Sequence, residues 1–188
     1  MRFYRVFPHL PNAAPHDPGG ALYRAPGGKN RADSPTPGSY SCLYVGDTPE
    51  GSIAEAFGRF DSWDAVVIEA SPAVPALPGS RFALARYELP NTSTIRDLDD
   101  ARAVLAEGLR PSGVVTRDRA VTQSWSAKIQ ATRRYAGVSW WSYYDAGWQS
   151  AALWDISSLV LAGRPRRLRV RDAEVRAAAS TIVRRLIA

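Results

Sequence analysis

Apolar residues recur along this chain with two periods, and the points where one gives way to the other mark its elements. Residues 2–7 alternate, with Phe3, Arg5 and Phe7 on one side and Arg2, Tyr4 and Val6 on the other, which predicts an opening strand. Residues 8–39 lose all periodicity and are dense in Pro, Gly, Asn and Asp. A connection of that length inside a compact domain is usually functional or disordered. A short strand over 41–45, a turn at Gly46-Asp47 and a helix from Thr48-Pro49 come next. Asp47 is placed to accept from the helix's first free N–H groups, Glu50 to reach back, and Pro49 loses no hydrogen bond so early in a helix. Ile53, Ala56, Phe57 and Phe60 form the buried stripe of this helix. Gly51, Glu55 and Gly58 fall on the opposite side at 100° per residue.

Further on, 65–70 reads as a buried strand, 71–79 as a Pro- and Ala-rich connection and 82–89 as another strand. A helix is expected over 97–108, striped by Leu98, Ala101, Val104 and Leu105 and stopped by Gly108. A second is expected over 118–133, striped by Val121, Trp125 and Ile129. Residues 137–145 read as a strand with Val138, Trp140 and Ser142 on one face and Ser139, Trp141 and Tyr143 on the other. Short strands follow near 151–154, 159–162 and 168–170, then a final helix over 172–186, capped by Asp172 and striped by Val175, Ala179, Ile182 and Leu186. Interspersed strands and helices without a repeat give an α+β fold, mixed or antiparallel sheets flanked by helices.

A chain of 188 residues suits one domain over 1–188 with a substantial core. No apolar run is long enough to span a bilayer and the first residues lack the apolar stretch of a signal peptide, so a cytoplasmic protein without a membrane partner is expected. The single cysteine, Cys42, excludes an intramolecular disulfide and a multi-cysteine zinc site. The two histidines, His9 and His16, both fall in the Pro-, Gly- and Asn-rich irregular segment. Ser-His-Asp and Cys-His hydrolysis need a base held by packed structure beside the nucleophile, so that chemistry is disfavoured. The net charge of +6 rests on arginine. Arg164, Arg166, Arg167, Arg169 and Arg171 crowd one segment, which reads as a nucleic-acid surface, a docking site for an acidic partner, or a solvated edge strand blunted by charge.

Four features carry candidate chemistry. Two glycines in one helix cost about 1 kcal/mol each relative to alanine, which suggests close approach to the face bearing Glu55. The commoner fate of such a glutamate is a surface ion pair, here with Arg59 at i+4, worth ~0.3–0.5 kcal/mol. Arg5 shares a face with two phenylalanines, so its charge must meet an anion or lie over the rings. In Gly27-Gly28-Lys29-Asn30-Arg31, backbone amides and cations are able to converge on a phosphate, although neither GxxxxGK[ST] nor GxGxxG is present. Aromatics around Ser142 offer a stacking surface for a planar ligand or simply a tryptophan-rich core strand.

Without a histidine base or an evident thiol nucleophile, the fitting reaction is one whose leaving group departs without strong acid help. The nicotinamide–ribose bond of NAD is such a case, because a cationic pyridinium leaves as a neutral molecule. The step passes through an oxocarbenium-like state and asks for a carboxylate near the ribose, arginines on the pyrophosphate and aromatic faces for the ring.

Tyr4-Arg5-Val6, the Gly27–Arg31 loop, Leu43-Tyr44-Val45-Gly46-Asp47-Thr48-Pro49-Glu50-Gly51 with Ala54-Glu55, and Gly137-Val138-Ser139-Trp140-Trp141-Ser142 resemble successive blocks of the RES domain family, named for its arginine, glutamate and serine. The resemblance spans about 5–154. It implies an ADP-ribosyltransferase-like fold and degradation of NAD by phosphorolysis or hydrolysis, with NAD as substrate, inorganic phosphate as a candidate co-substrate and no further cofactor. It also implies a toxin of a toxin–antitoxin pair, with an antitoxin protein covering the cleft as partner and nucleic acid reached only through that antitoxin. Carried over by position, Arg5, Glu55 and Ser142 are the catalytic residues and Tyr44 lies near nicotinamide. Ser142 is expected to donate to the nucleotide or to Glu55, not to act as a nucleophile. The family loop reads Gly-Gly-Arg-Trp-Asn, whereas Lys29-Asn30-Arg31 follow Gly28 here; Arg31, then Lys29, are the expected pyrophosphate contacts. The small-residue face of the helix is then the expected floor of an NAD cleft, with Tyr44 and Glu55 toward one ligand. An ADP-ribosyltransferase modifying a macromolecule and a basic nucleic-acid-binding module remain the alternatives.

Overall fold

The computed structural model describes residues 1–70 and 77–187. In chain order they form β1 (Arg2–His9), β2 (Leu43–Gly46), α1 (Pro49–Phe57), β3 (Ser62–Trp63), α2 (Ala65–Ile68), β4 (Arg81–Glu88), β5 (Ile95–Asp97) and α3 (Ala101–Ala106). These are followed by α4 (Pro111–Val115), α5 (Arg119–Ala131), β6 (Gly137–Trp141), β7 (Gln149–Leu153), β8 (Val160–Leu161), β9 (Arg166–Arg167), α6 (Ala173–Thr181) and β10 (Arg185–Leu186).

The main sheet runs β5-β6-β7-β2-β1-β4-β8, with β9 also on β4. β1 pairs antiparallel with β4 along its whole length, from Arg2 opposite Glu88 to His9 opposite Arg81. Against β2 it is different: among the described residues the two strands meet at one paired position, Tyr4 opposite Gly46. β2 is antiparallel to β7, β7 to β6, and β5 joins β6 in parallel. The sheet is therefore two well-paired halves joined at a narrow waist.

Side-chain alternation distributes the core around that waist. Phe3, Phe7, Leu43, Val45, Tyr87 and Leu153 point to one face, where Ala21 and Leu22 of the irregular segment and Ile156 and Leu159 cover them. The other face carries two separate helical layers. On the β1–β4 half, Ile53 and Phe57 of α1 and Val175 of α6 pack with Trp63, Leu84 and Leu168. On the other half, Val114 of α4 and Trp125 and Ile129 of α5 pack with Val138, Trp140 and Ala152. The gap between these layers lies over the strands that part.

The α+β architecture agrees with the sequence pattern, and several elements differ from it for identifiable reasons. Residues 65–70 are not a strand: Asp64 caps a short helix, accepting from Val67 N at 2.8 Å, and Val66 is 75% exposed. The helix expected over 97–108 starts only at Ala101, because Asp97 belongs to β5 and Asp100 is the cap; Leu105 is exposed. α5 follows its stripe at Trp125 and Ile129, while Val121 is largely open. The last helix ends at Thr181, after which Arg185–Leu186 pair in parallel with Ser62–Trp63. Asp172 precedes that helix without capping it, accepting instead from Arg169 N and Arg166. Part of the connection expected over 71–79, residues 71–76, lies outside the described residues. In the arginine-rich segment, β9 edges β4, Arg166 pairs with Asp172 and Glu174, and Arg167 lies 3.9 Å from Glu69.

α1 begins where expected, but Thr48 caps it, with its hydroxyl accepting from Gly51 N at 3.0 Å. Asp47 accepts instead from Gln149 N at 2.9 Å and so ties the turn to β7. One turn into the helix, Ser52 Oγ donates to Tyr4 O and Thr48 O, both at 3.0 Å. This seats α1 directly on the waist, where a Cβ on Gly46 would lie 2.6 Å from Ser52 Oγ. Gly46→Ala should therefore lift α1 and cost roughly 1–3 kcal/mol of stability, the range for overpacking a tight contact. Urea denaturation, read as a lower midpoint at unchanged slope, checks this.

Candidate functional site

At the waist the parting strands floor a cleft of about 270 Å³, with Tyr4, Arg5 and Val6 of β1 on one side and Tyr44, Val45 and Gly46 of β2 on the other. Ser52, Glu55 and Ala56 of α1 line it, as do Asn30, Trp140 and Ser150. Glu55 stands at the second turn of α1, and its Oε1 accepts from two hydroxyls, Ser142 Oγ at 2.6 Å and Ser150 Oγ at 3.2 Å. Oε2 has no protein donor among the described residues. Ser142 is itself held, its N donating to Trp148 O and its Oγ accepting from Tyr144 N. Two donors on one oxygen fix the plane of the carboxylate and leave the other oxygen for the cleft. Arg59 lies over the Phe60 ring at 4.7 Å.

The two glycines of the helix's small-residue face serve packing of the protein itself. A Cβ on Gly51 would stand 3.2 Å from Trp148, and one on Gly58 would stand within 2.5 Å of the Tyr144 ring. The face expected as a ligand floor is thus covered in part by the aromatic segment after β6, and Glu55 emerges between these two contacts.

The glycine-rich loop is also turned inward. Asp33, buried, has one carboxylate oxygen, Oδ2, that accepts from Gly28 N, Lys29 N and Asn30 N at 3.0, 3.0 and 2.8 Å and from Asn30 Nδ2 at 3.1 Å. The amides that sequence offered to a phosphate already hold an anion, one from their own chain. The other oxygen, Oδ1, accepts from Tyr44 OH at 2.8 Å, while Tyr44 oxygen accepts from Ala32 N at 2.9 Å. Tyr44 therefore has no proton left to offer a ligand and presents its ring. Burial, reinforced by Cys42 and Asp33, pushes its hydroxyl far above the ordinary phenol range.

Glu55 and Tyr44 line one cleft, Ser142 is hydrogen-bonded to Glu55, and the three expected cations are placed differently. Arg5 contributes to the floor, but its guanidinium lies with Phe3 and Phe7 on the face away from α1, 5.3 Å from the Phe7 ring centroid, and Nη1 donates to Ala21 O at 3.1 Å. Burial lowers its pKa, opposed by Tyr87. Arg31 stacks over Trp140 at 5.8 Å and donates to Val114 O, Val115 O and Thr116 O at the end of α4. Lys29 is exposed at the loop tip. Sequence reasoning passed over Ser150, Asp33 and Asn30. Alternation along β7 puts Ser150 and Ala152 on the same face, a usable signal for Ser150; the amides that bind Asp33 lie only three to five residues before it, whereas its contact with Tyr44 forms in the fold.

The fold and cleft define the class: an α+β protein whose split mixed sheet holds a carboxylate between two helical layers. The RES domain profile matches residues 2–176, and the chain belongs to the RES domain family. A search of solved structures finds similarity to the crystal structure of the M. tuberculosis MbcT-MbcA toxin-antitoxin complex, in which the toxin MbcT superposes with a TM-score of 0.59 at 14% identity, covering 97% of this chain and 88% of that chain. At that identity the likeness is one of fold. Curated protein sequences give no match.

Asp33→Ala should cost at least about 1–3 kcal/mol, the penalty for stranding a buried donor, and should raise hydrogen-exchange rates of the amides of residues 28–30. A second expectation concerns pH. Burial, with Asp33 adding, pushes the Cys42 thiol up to about 12 from an ordinary 9.0. The folded state then keeps a proton that the unfolded chain releases, so stability falls as pH rises from about 9 toward 12. Urea midpoints measured across that window should decline less steeply for Cys42→Ala than for the native chain.

Proposed function

We propose that this protein cleaves the nicotinamide–ribose bond of NAD at the Glu55 cleft. The observation that carries the reading is a carboxylate oriented by two serine hydroxyls in a cleft that Tyr44 and Trp140 help to line. The cleft volume lies just below the range for drug-sized ligands, roughly 300–1,000 Å³. It suits the nicotinamide riboside end of a dinucleotide, with the remainder along the open mouth.

In the reaction the C1′–N bond breaks and both its electrons go to the ring nitrogen, so a cationic pyridinium leaves as neutral nicotinamide. Positive charge develops on the ribose, where Glu55 supplies the stabilising negative charge. Phosphate or water then forms the new bond to C1′, giving ADP-ribose phosphate or ADP-ribose, with the nucleophile's proton passing to solvent or to Glu55. Ser142 and Ser150 orient Glu55 and are not nucleophiles. Tyr44 gives its ring to nicotinamide, while the Trp140 ring backs Arg31.

Membership of the RES family, together with the fold shared with a toxin solved in complex with its antitoxin, supports a role as a toxin that depletes NAD. An antitoxin protein that occupies the cleft mouth is the corresponding partner.

Purified protein incubated with NAD should release nicotinamide, and Glu55→Gln should lower that rate about 10²–10³-fold, as the loss of one preorganised electrostatic group does. Runs with and without phosphate separate phosphorolysis from hydrolysis. Label retained on macromolecules from labelled NAD would identify a transferase instead. Unchanged NAD, or undiminished release by Glu55→Gln, would sink the proposal.

A further inference from the structure

A ligand carrying phosphate needs cations at the cleft, and the expected ones are largely engaged. The loop amides are bound to Asp33, the Arg31 guanidinium caps the carbonyls of residues 114–116, and that of Arg5 donates to Ala21 O. By holding Thr116 O at 3.0 Å, however, Arg31 fixes the turn between α4 and α5, and that turn carries Arg117 and Arg119. Both are exposed and neither has an ion-pair partner among the described residues. Arg117 Cζ stands 4.8 Å over the Tyr143 ring, one residue beyond Ser142, whose Oγ touches Glu55. On the other side, Arg31 feels both the like charge of Arg119 and the opposite charge of Glu55. Asp118, between the two arginines, uses Oδ1 to cap α5 at Ala120 N and Val121 N. The turn therefore presents two exposed guanidiniums, with Arg117 placed over Tyr143 beside the Ser142–Glu55 contact, and an anion with several oxygens matches their forked donors.

We propose that Arg117 and Arg119, on the turn pinned by Arg31, form the phosphate-binding wall of the cleft. This rests on the NAD-cleaving reading, and the phosphate it takes has two sources, the pyrophosphate of the dinucleotide and free orthophosphate as co-substrate. The loop's amides take no part in this wall, since Asp33 holds those of residues 28–30; the loop contributes through Arg31 alone, which pins the turn.

The test uses the full chain with Arg117→Ala/Arg119→Ala and, separately, Lys29→Ala, since Lys29 is the other exposed cation near the mouth. Calorimetric titration with ADP needs no turnover and is expected to weaken at least about tenfold in the double variant, as the loss of charge-assisted hydrogen bonds does, with a rise in KM for NAD exceeding any fall in kcat. Arg117→Lys/Arg119→Lys should recover part of the ADP affinity, which a mere folding defect would not allow. Loss of ADP affinity with phosphate stimulation unchanged assigns the wall to the pyrophosphate; the reverse assigns it to orthophosphate. Unaltered ADP binding and phosphate stimulation in the double variant, or the whole loss appearing in Lys29→Ala alone, overturns the inference while nicotinamide release by the native protein leaves the NAD-cleaving reading standing. Failure of the native protein to bind ADP or respond to phosphate overturns it as well, and absence of nicotinamide release then removes the functional reading with it.

Discussion

The contact on which the rest of the molecule depends is the meeting of β1 and β2 at Tyr4 and Gly46. Elsewhere β1 is paired along its length with β4, and β2 with β7. A sheet joined at one position has unpaired backbone on either side of it, and such backbone must be covered or face water. α1 covers the junction, brought close by the missing side chain of Gly46 and held by Ser52 on Tyr4 O. What the helix leaves uncovered is the cleft. The same placement that closes the waist delivers Glu55, one turn further on, to the edge of the opening.

Around that opening the protein satisfies many of its own polar groups. Asp33 fills the loop's amide concavity and fixes Tyr44; Arg31 caps α4 and stacks on Trp140; Asp47 ties the start of α1 to β7. The Arg31 and Asp47 bonds join segments far apart in sequence, the Asp33 bonds close a local loop, and together they form a hydrogen-bonded rim. A preorganised rim is what electrostatic stabilisation of a developing charge requires, because donors and acceptors need not reorganise as the reaction proceeds. It also means that residue type alone misleads: an arginine beside a cleft is available to a ligand only if no carbonyl has claimed it.

Legibility in the sequence followed the range of the interactions involved. β1, β4, α1 and α5 were readable because a single buried face imposes its period on consecutive residues. The resemblance of Tyr44 to Glu55 and of the blocks beside it to RES domains placed the two residues in one cleft, as the structure does. By contrast, Val66-Val67-Ile68 has the composition of a buried strand and yet forms a helical turn, since Asp64 offers a cap and little covers Val66. The last helix gave up its final residues because Arg185 and Leu186 find a strand, Ser62–Trp63, more than a hundred residues earlier.

The sequence by itself determined the periodic elements, the helix that carries Glu55 and the family to which the chain belongs; His9, expected in the irregular segment, instead ends β1 with its ring 5.4 Å from that of Phe7. Only the tertiary structure decided which polar groups are engaged and which are free. Thr48 rather than Asp47 caps α1 because Gln149 N reaches Asp47; Asp33 becomes a hub because three amides and a distant tyrosine hydroxyl close on it; Ser150 joins Ser142 on Glu55 because β7 lies beside β2. Partners as distant as Gln149 from Asp47 and Ser150 from Glu55 leave no local pattern, so the division between structural and available charge at this cleft is a property of the fold.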